Sequence, residues 1–480
     1  MPPATHPLAA GRLGASALTF FALAAAAPLT VVTVAIPSAF TRGEPTVVPI
    51  AFLSLGVILL LGTVGYTAMV RRAPHAGALY SVIARGLGRP MGVGAAGLAL
   101  LSYNTIQIGL YGAAGAAAAP LLDQWFGVRA DWWMVAAACW AVVALCGLLR
   151  VDVIAGLLAV VVLAEIAAII GFAAANLLEP PAGEISWPSV RPADWAALDR
   201  SATGLLLVVL AFAFAGFETA AAYGEEARRP RRSIARATVV AVILLALLYA
   251  VSAGAILAGA GSAARLAPWA VALGQALVLT GLIAAMISLH STIARYTFAL
   301  GRERLLPGWL SRTSARWHVP LAGSLTQSLV AAVALAALHA SGWQRFGVLT
   351  MAGALGILVL LLGASLAALL FLNRAPNDEG AWRRFVAPGL ATVLLGALCY
   401  LAFRDLPALL GVPSGDLLVL LIPGAFAVVM LIGVCSGWVL RALAPIVYAG
   451  IGLGGTAIVV APAIPRPREP GAHRPERIDR

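Results

Sequence analysis

Long apolar runs, separated by short polar breaks, repeat along the whole chain. Twelve of them are long enough to cross a bilayer core as a helix, which takes about 20 residues. They are Ala17–Ala39, Val47–Val70, Met91–Ala119, Trp132–Leu149, Val153–Leu177, Ala202–Ala222, Val239–Ala258, Trp269–Ala299, Leu321–Leu338, Phe346–Leu372, Phe385–Phe403 and Leu417–Val439. They are numbered here as spans 1 to 12. A further run, Ala442–Val460, carries Pro445 and several glycines and leads into a Pro/Arg tail, so a thirteenth span stays open. The pattern predicts an all-α integral membrane protein with about 12 transmembrane helices. Ala24–Ala27 offers small residues such as a signal peptidase accepts. The apolar run continues past Pro28 to Ala39, however, and is kept as span 1.

Two spans are interrupted. Span 1 carries Pro28 within Ala24-Ala25-Ala26-Ala27-Pro28-Leu29-Thr30. Span 6 carries Gly216 within Phe212-Ala213-Phe214-Ala215-Gly216-Phe217-Glu218. A helix opened inside the membrane is tolerated where its backbone lines a cavity. A carboxylate at the bilayer centre costs about 2.5–3.5 kcal/mol on insertion scales, so Glu218 is rarely there without a role. Spans 1 and 6 enter from opposite sides. Breaks at corresponding places in two halves of opposite orientation point to an inverted-repeat transporter and its binding site.

Composition agrees with the bilayer. Of 480 residues, 61% are hydrophobic and 11% charged, against about 45–50% and about 25% in soluble domains. The net charge is +12 and every basic residue is an arginine. The absence of lysine excludes a Walker A loop, a pyridoxal Schiff base and a kinase phosphate-pairing site. Sorting the arginines over the spans gives topology rather than nucleic-acid binding. With the N-terminus inside, 25 fall on the cytoplasmic side and 7 (42, 129, 191, 200, 265, 345, 404) outside, a strong positive-inside asymmetry. Residues 1–16 are then a cytoplasmic segment and 17–440 the transporter domain. Residues 441–480 form a C-terminal segment ending in a cytoplasmic tail, in a protein of the plasma membrane. The longest outer loop, Leu178–Ser201, holds Trp187 and Trp195 and is expected at the outer interface. Cys139, Cys146, Cys399 and Cys435 all lie in apolar spans and read as small buried hydrophobes. Gly92-Val93-Gly94-Ala95-Ala96-Gly97 matches the dinucleotide fingerprint formally. No strand precedes it, and close helix packing accounts for it. No metal-ligand spacing and no serine–histidine–acid motif stands out, so no cofactor is expected.

Three stretches carry a family likeness. Pro74-His75-Ala76-Gly77-Ala78-Leu79-Tyr80 with Gly86-Leu87-Gly88-Arg89-Pro90 is the first. Phe212–Glu218 with Gly224-Glu225-Glu226-Ala227-Arg228-Arg229-Pro230-Arg231-Arg232-Ser233 is the second. Ala294-Arg295-Tyr296-Thr297-Phe298-Ala299-Leu300-Gly301-Arg302-Glu303-Arg304-Leu305-Leu306-Pro307 is the third. Over roughly residues 15 to 440 the chain resembles the amino acid–polyamine–organocation superfamily of permeases. The resemblance implies a five-plus-five inverted repeat with discontinuous helices 1 and 6, plus two extra helices. It also implies secondary transport of amino acids or related amines, by proton symport or exchange. Family members hold the substrate carboxylate on exposed amides of span 1 and its amine on carbonyls of spans 1 and 6. Relatives often carry a glycine-rich triplet in span 1, where this chain has Ala25-Ala26-Ala27-Pro28, and some proton-coupled members use a span 5 lysine, where this chain offers Glu165.

The expected substrate-binding residues are therefore Ala26, Ala27, Pro28, Tyr103, Asn104, Gln107, Phe212, Phe214, Ala215 and Gly216. Tyr103, Gln107 and Tyr111 share one face of span 3 at i, i+4 and i+8. That stripe lines the cavity or else bonds helix to helix. The resemblance places an aromatic lid near Phe212; core packing is its other reading. Glu218, Glu165 and His290 are the candidate coupling groups. Against that stand a backbone-bonded structural carboxylate for Glu218, a packing role for Glu165 and a neutral structural hydrogen bond for His290. The expected partners are an amino acid or amine, a proton or exchanged solute, and membrane lipid. A carrier of another organic cation or small solute is the alternative. A membrane-embedded enzyme is a further one, although neither clustered aspartates nor an HExxH helix appears.

Overall fold

The computed structural model describes residues 7–42, 44–72, 78–178, 200–258, 268–374 and 379–453. Among them every extended element is helical, and the one β-type contact is an isolated bridge between Leu13 and Ala227. Eleven helices are long and apolar enough to cross a membrane: Ala15–Phe40, Pro45–Arg71, Arg89–Phe126, Val151–Leu178, Ala202–Tyr223, Pro230–Ala258, Pro268–Arg302, Leu321–Ser341, Phe346–Arg374, Trp382–Arg404 and Leu418–Leu443. These are spans 1–3 and 5–12. Span 4, Trp132–Cys146, is a shorter apolar helix. The chain is an all-α, multi-pass membrane protein.

Differences from the sequence pattern lie at helix ends. Span 4 stops at Cys146 rather than Leu149 because the chain tightens into turns there, with Leu148 and Leu149 bonded to the carbonyls of Leu145 and Cys146. Gly147 sits against the His290 ring, where a side chain would not fit. Span 3 runs through Pro120 to Phe126, because its end lies outside the packed bundle, where a lost backbone bond is tolerated. A short helix, Ala78–Gly86, follows span 2; the periodicity over these nine residues was too brief to predict it. Beyond span 12 the described residues form one six-residue helix, Pro445–Gly450. The remainder of the open thirteenth span, the Arg/Pro tail, residues 179–199 of the Leu178–Ser201 loop and residues 74–77 of the first family stretch lie outside the described residues.

Small residues bring the spans together. Span 3 packs against spans 4, 10 and 12, and span 2 against span 7. Gly433 of span 12 faces the backbone of Gly94 at 2.5 Å from where its Cβ would stand, and Ser102 of span 3 packs on Gly356 of span 10. Such contacts replace the missing hydrophobic drive between helices in lipid. Leu420, Leu431, Ile432 and Val439 of span 12 turn outward. The most completely buried side chains, among them Tyr80, Tyr103, Tyr223, Tyr249, Tyr296 and Phe214, surround the broken segments of spans 1 and 6.

Candidate functional site

The break in span 1 falls at Ala27, which takes a left-handed conformation (φ 47°, ψ 62°) and ends Ala15–Ala26 with its N–H on the Ala24 carbonyl. Helix resumes at Pro28, where the missing N–H of proline costs least because first-turn donors lack partners in any case. A π turn, Val31–Ala35, then carries the chain to Ile36–Phe40. In span 6, regular helix ends at Phe212. The chain tightens over residues 213–216 with i→i−3 bonds from Ala213, Phe214 and Ala215. Gly216 turns it at φ 115°, and Phe217–Tyr223 continues as a 3₁₀ helix. The two breaks touch. A Cβ on Gly216 would stand 2.7 Å from the Ala25 carbonyl carbon and 2.9 Å from the Ala26 nitrogen, so only glycine permits the crossing.

Each break carries a carboxylate. Glu165, on span 5, accepts the Leu29 N–H at 3.3 Å, the first amide available after Pro28. Its other face lies on span 8, where a Cβ on Gly281 would stand 2.8 Å from the Glu165 Cδ and closer still to Oε1. Glu218 turns back over its own break and accepts the Gly216 N–H at 3.0 Å through Oε2, while Tyr103 donates its hydroxyl to Oε1 at 3.0 Å. Both glutamates are 1% exposed, and neither forms an ion pair among the described residues. A cavity of about 20 Å³ adjoins Glu218, lined by Thr63, Tyr66, Leu79 and Ser365 among others. It is wide enough for one water. Tyr296 and Tyr103 meet edge to face at 5.6 Å between ring centres beside it.

Below the breaks, on the side of the arginine-rich exit of span 6, polar groups tie spans 1, 6 and 8 together. Arg295 of span 8 forms a bidentate pair with Glu226 at 2.5 and 2.9 Å, donates to the Ser291 carbonyl at 2.9 Å and lies 4.2 Å over the Tyr223 ring. Tyr223 stacks on Phe21 at 4.1 Å, and Ser288 donates to the Phe21 carbonyl at 2.7 Å. The segment before span 1 is tied in by backbone bonds: Arg12 and Leu13 donate to the Glu226 carbonyl, and Arg228 donates to that of Leu13. Arg302 pairs with Glu225 alongside.

Of the residues expected from sequence, Ala26, Ala27, Pro28 and Gly216 lie at the crossing, with Glu165, Glu218 and Tyr103 bonded as above. Phe214 is buried against Phe52 and Tyr249, with Tyr249 donating to the Ala213 carbonyl at 3.3 Å. Phe212 and Ala215 line a second small cavity on the other side of the break, with Leu55 and Leu358. Asn104 donates back to the Leu100 carbonyl within span 3. Gln107 is bonded elsewhere: it donates to the Tyr111 hydroxyl at 3.0 Å and accepts from Gln327 of span 9 at 3.1 Å, a chain between helices. His290 is also apart from the glutamates. Its Nε2 meets Ser324 Oγ at 2.9 Å, and Ser324 donates to the Gly147 carbonyl; with the serine proton so used, Nε2–H is the donor. Sequence reading passed over Gly281, Ser288, Glu226 and Tyr223. The one signal for the pair was an arginine deep in an apolar span and an acidic couplet just before the basic exit of span 6.

Against this geometry, the sequence pattern of the family described as amino acid permease matches residues 13–435. The chain belongs to the amino acid permease family. As a member it sits in the superfamily that the three stretches resembled. Curated relatives include proteins named as uncharacterized transporters from Mycobacterium bovis and from two strains of Mycobacterium tuberculosis. Each is 34% identical over 173 residues, which is 32% of this permease and 38% of the relative. The match therefore spans well under half of either chain.

Proposed function

We propose that this permease is a secondary active transporter that moves amino acids or related amines across the plasma membrane by proton symport or exchange. One observation carries the reading most directly: the breaks of spans 1 and 6 cross at Gly216, and each presents a buried carboxylate bonded to an amide of the opened helix. Opened half-helices offer N-terminal amides to anions and C-terminal carbonyls to cations. Two helices that can change their angle at one crossing also give a route to alternating access. In this reading the spans form a five-plus-five inverted repeat with two extra helices, within a transporter domain of residues 17–440. The N-terminus and the tail face the cytoplasm, as the arginine distribution indicates.

Glu218 and Glu165 are the coupling groups of choice. Each is a carboxylate without an arginine partner, placed where opening of either side admits water. Glu218 also has a hydroxyl donor, Tyr103, that stabilises its charged form through a hydrogen bond. His290 is bonded into spans 4 and 9 and takes no part in this reading.

Purified protein in ATP-free liposomes tests the proposal. A pH gradient or internal substrate drives uptake of an amine-bearing solute. Glu218→Gln keeps substrate binding and loses pH-driven accumulation. Strict dependence on ATP refutes secondary transport. Accumulation by Glu218→Gln and Glu165→Gln that matches wild type across pH 5 to 8 refutes coupling through these carboxylates.

A further inference from the structure

Resting on the carrier reading above, we infer that Glu165 excludes substrates with a free carboxylate, so that this permease carries amines or other organic cations lacking an acid group. The reason lies in the donors at the two breaks. Amides at the start of a helix attract anions because they lack partners and sit at the positive end of the dipole. Here the donors at the breaks themselves are occupied or missing, while Thr30, one residue beyond Leu29, keeps a buried hydroxyl without a partner among the described residues. Pro28 has no N–H, and Leu29 gives its own to Glu165. Ala27 bonds to the Ala24 carbonyl. At the other break, Gly216 gives its N–H to Glu218. Ala215, Phe217 and Thr219 donate to the carbonyls of Phe212, Phe214 and Gly216.

Charge points the same way. A carboxylate arriving at either break meets a buried acid, Glu165 at span 1 or Glu218 at span 6. Arg295 offers no relief: its guanidinium is bound to Glu226, to the Ser291 carbonyl and against the Tyr223 ring. An ammonium at the span 1 break meets Glu165 together with the C-terminal, electronegative end of Ala15–Ala26. A buried charge is tolerated when paired, and a cation supplies the pair that this chain leaves out. Nor is Glu165 free to swing aside within the closed structure. It is clamped between the Leu29 amide and the bare backbone of Gly281, where any side chain would collide with it. Glu165, reaching span 1 from span 5, thus takes the place of a substrate carboxylate.

The test pairs each amino acid with its decarboxylated amine: ornithine with putrescine, phenylalanine with 2-phenylethylamine, serine with ethanolamine. Binding is read by thermal shift on the purified full chain and checked by uptake into liposomes. In wild type, the amine of at least one pair binds at least about tenfold tighter than its parent, the smallest change expected for a hydrogen bond to a charged group. Glu165→Ala frees the Leu29 amide and lowers that preference at least about tenfold, through tighter binding of the parent amino acid. Glu165→Gln keeps an acceptor on Leu29 without the charge, so it still rejects the amino acid while weakening the amine. Gly281→Ala displaces the carboxylate and shifts preference in the direction of Glu165→Ala. Parent amino acids that bind wild type as well as their amines overturn the inference and leave the carrier reading standing. An unchanged preference in folded Glu165→Ala also overturns it. If no member of any pair binds or enters liposomes, the carrier reading for amine-bearing solutes falls, and the exclusion falls with it.

Discussion

Gly216→Ala is the sharpest probe of the crossing, because its cost follows from two independent features of the backbone. A side chain at φ 115° leaves the left-handed well near +57° and costs at least the 1–2 kcal/mol of an ordinary left-handed residue. The new Cβ would also stand 2.7 Å from the carbonyl carbon and Cβ of Ala25 and 2.9 Å from the Ala26 nitrogen. Those atoms are mostly backbone and cannot rotate away, so overpacking adds about 1–3 kcal/mol. Together the change costs about 2–5 kcal/mol, or about 2–5 °C of melting temperature for a chain this long. Ala27→Gly is the matched opposite. Ala27 is a non-glycine residue at φ 47°, so glycine relieves about 1–2 kcal/mol of strain and gives back about 0.5–1 kcal/mol in chain entropy; the melting temperature is unchanged or slightly higher. Ala25→Gly added to Gly216→Ala recovers only part of the loss, since it removes one of the three close atoms. Tryptophan fluorescence during heating in detergent reads all four proteins. A Gly216→Ala protein as stable as wild type, or an Ala27→Gly protein as damaged as Gly216→Ala, refutes this account of the crossing.

Three further outcomes follow from the same contacts. Glu226→Gln strands the buried Arg295 charge and destabilises by about 3–5 kcal/mol; Glu226→Leu with Arg295→Met recovers most of that in thermal unfolding, and equal losses in the single and double variants show that the pair is not coupled. In a cysteine-free background, a cysteine replacing Arg231 and one replacing Arg345, separated by spans 7, 8 and 9, label with a membrane-impermeant maleimide from opposite faces; labelling from one face refutes the span count. Asp416 lies outside the spans, and the Leu418 amide, with Arg345 beside it, holds its carboxyl below the ordinary value near 3.8. Its stabilisation is therefore present above that value and lost as pH falls through the lowered one, so Asp416→Asn melts lower than wild type at pH 7, with a gap that closes at strongly acid pH; a gap independent of pH counts against the pairing.

What the sequence displayed and what it hid divide along one line. Apolar length announced the spans, since in lipid every backbone bond must close within its own helix. Proline and glycine announced the breaks, because these residues punctuate helices by covalent constraint alone: Pro28 opens the second half of span 1, and Gly216 makes the turn in span 6. Glu218 was visible as a charge next to a break. Its bond to Gly216, two residues away, is local enough to suspect from spacing. Contacts between distant spans carried no such mark. The Glu165–Leu29 bond joins positions 136 residues apart, and nothing in either segment names the other. Gly281 looked like one more small residue in span 8, although its lack of a side chain makes the room in which Glu165 lies. Ala27 gave no warning either, since alanine does not favour the left-handed region it occupies. The spacing of Tyr103 and Gln107 puts both on one face of span 3. Only tertiary packing decides that Tyr103 serves Glu218 while Gln107 serves Gln327.

The two glutamates give one physical requirement for the transport cycle. A buried carboxylate is costly unless a counter-charge or enough hydrogen bonds accompany it. Glu165 has a single backbone donor, and Glu218 has one amide and one hydroxyl. Closing the protein over both therefore costs more when the crossing is empty than when a cation, or a proton, joins them. A carrier with that property returns readily when loaded and reluctantly when bare. The contacts on the side of the span 6 exit work in the other sense. Arg295 and Glu226 satisfy one another in the closed form, and the backbone bonds between Leu13 and Arg228 fasten the entry of span 1 to the exit of span 6. Opening on that side must break these bonds, whatever the crossing holds. The charges at the crossing set what favours closure, and the pair beneath it sets the cost of opening. Glu218 and Glu226 both follow the break of span 6, and Glu165 reaches the break of span 1 from span 5, so a change of angle at Ala27 and Gly216 acts on the two together.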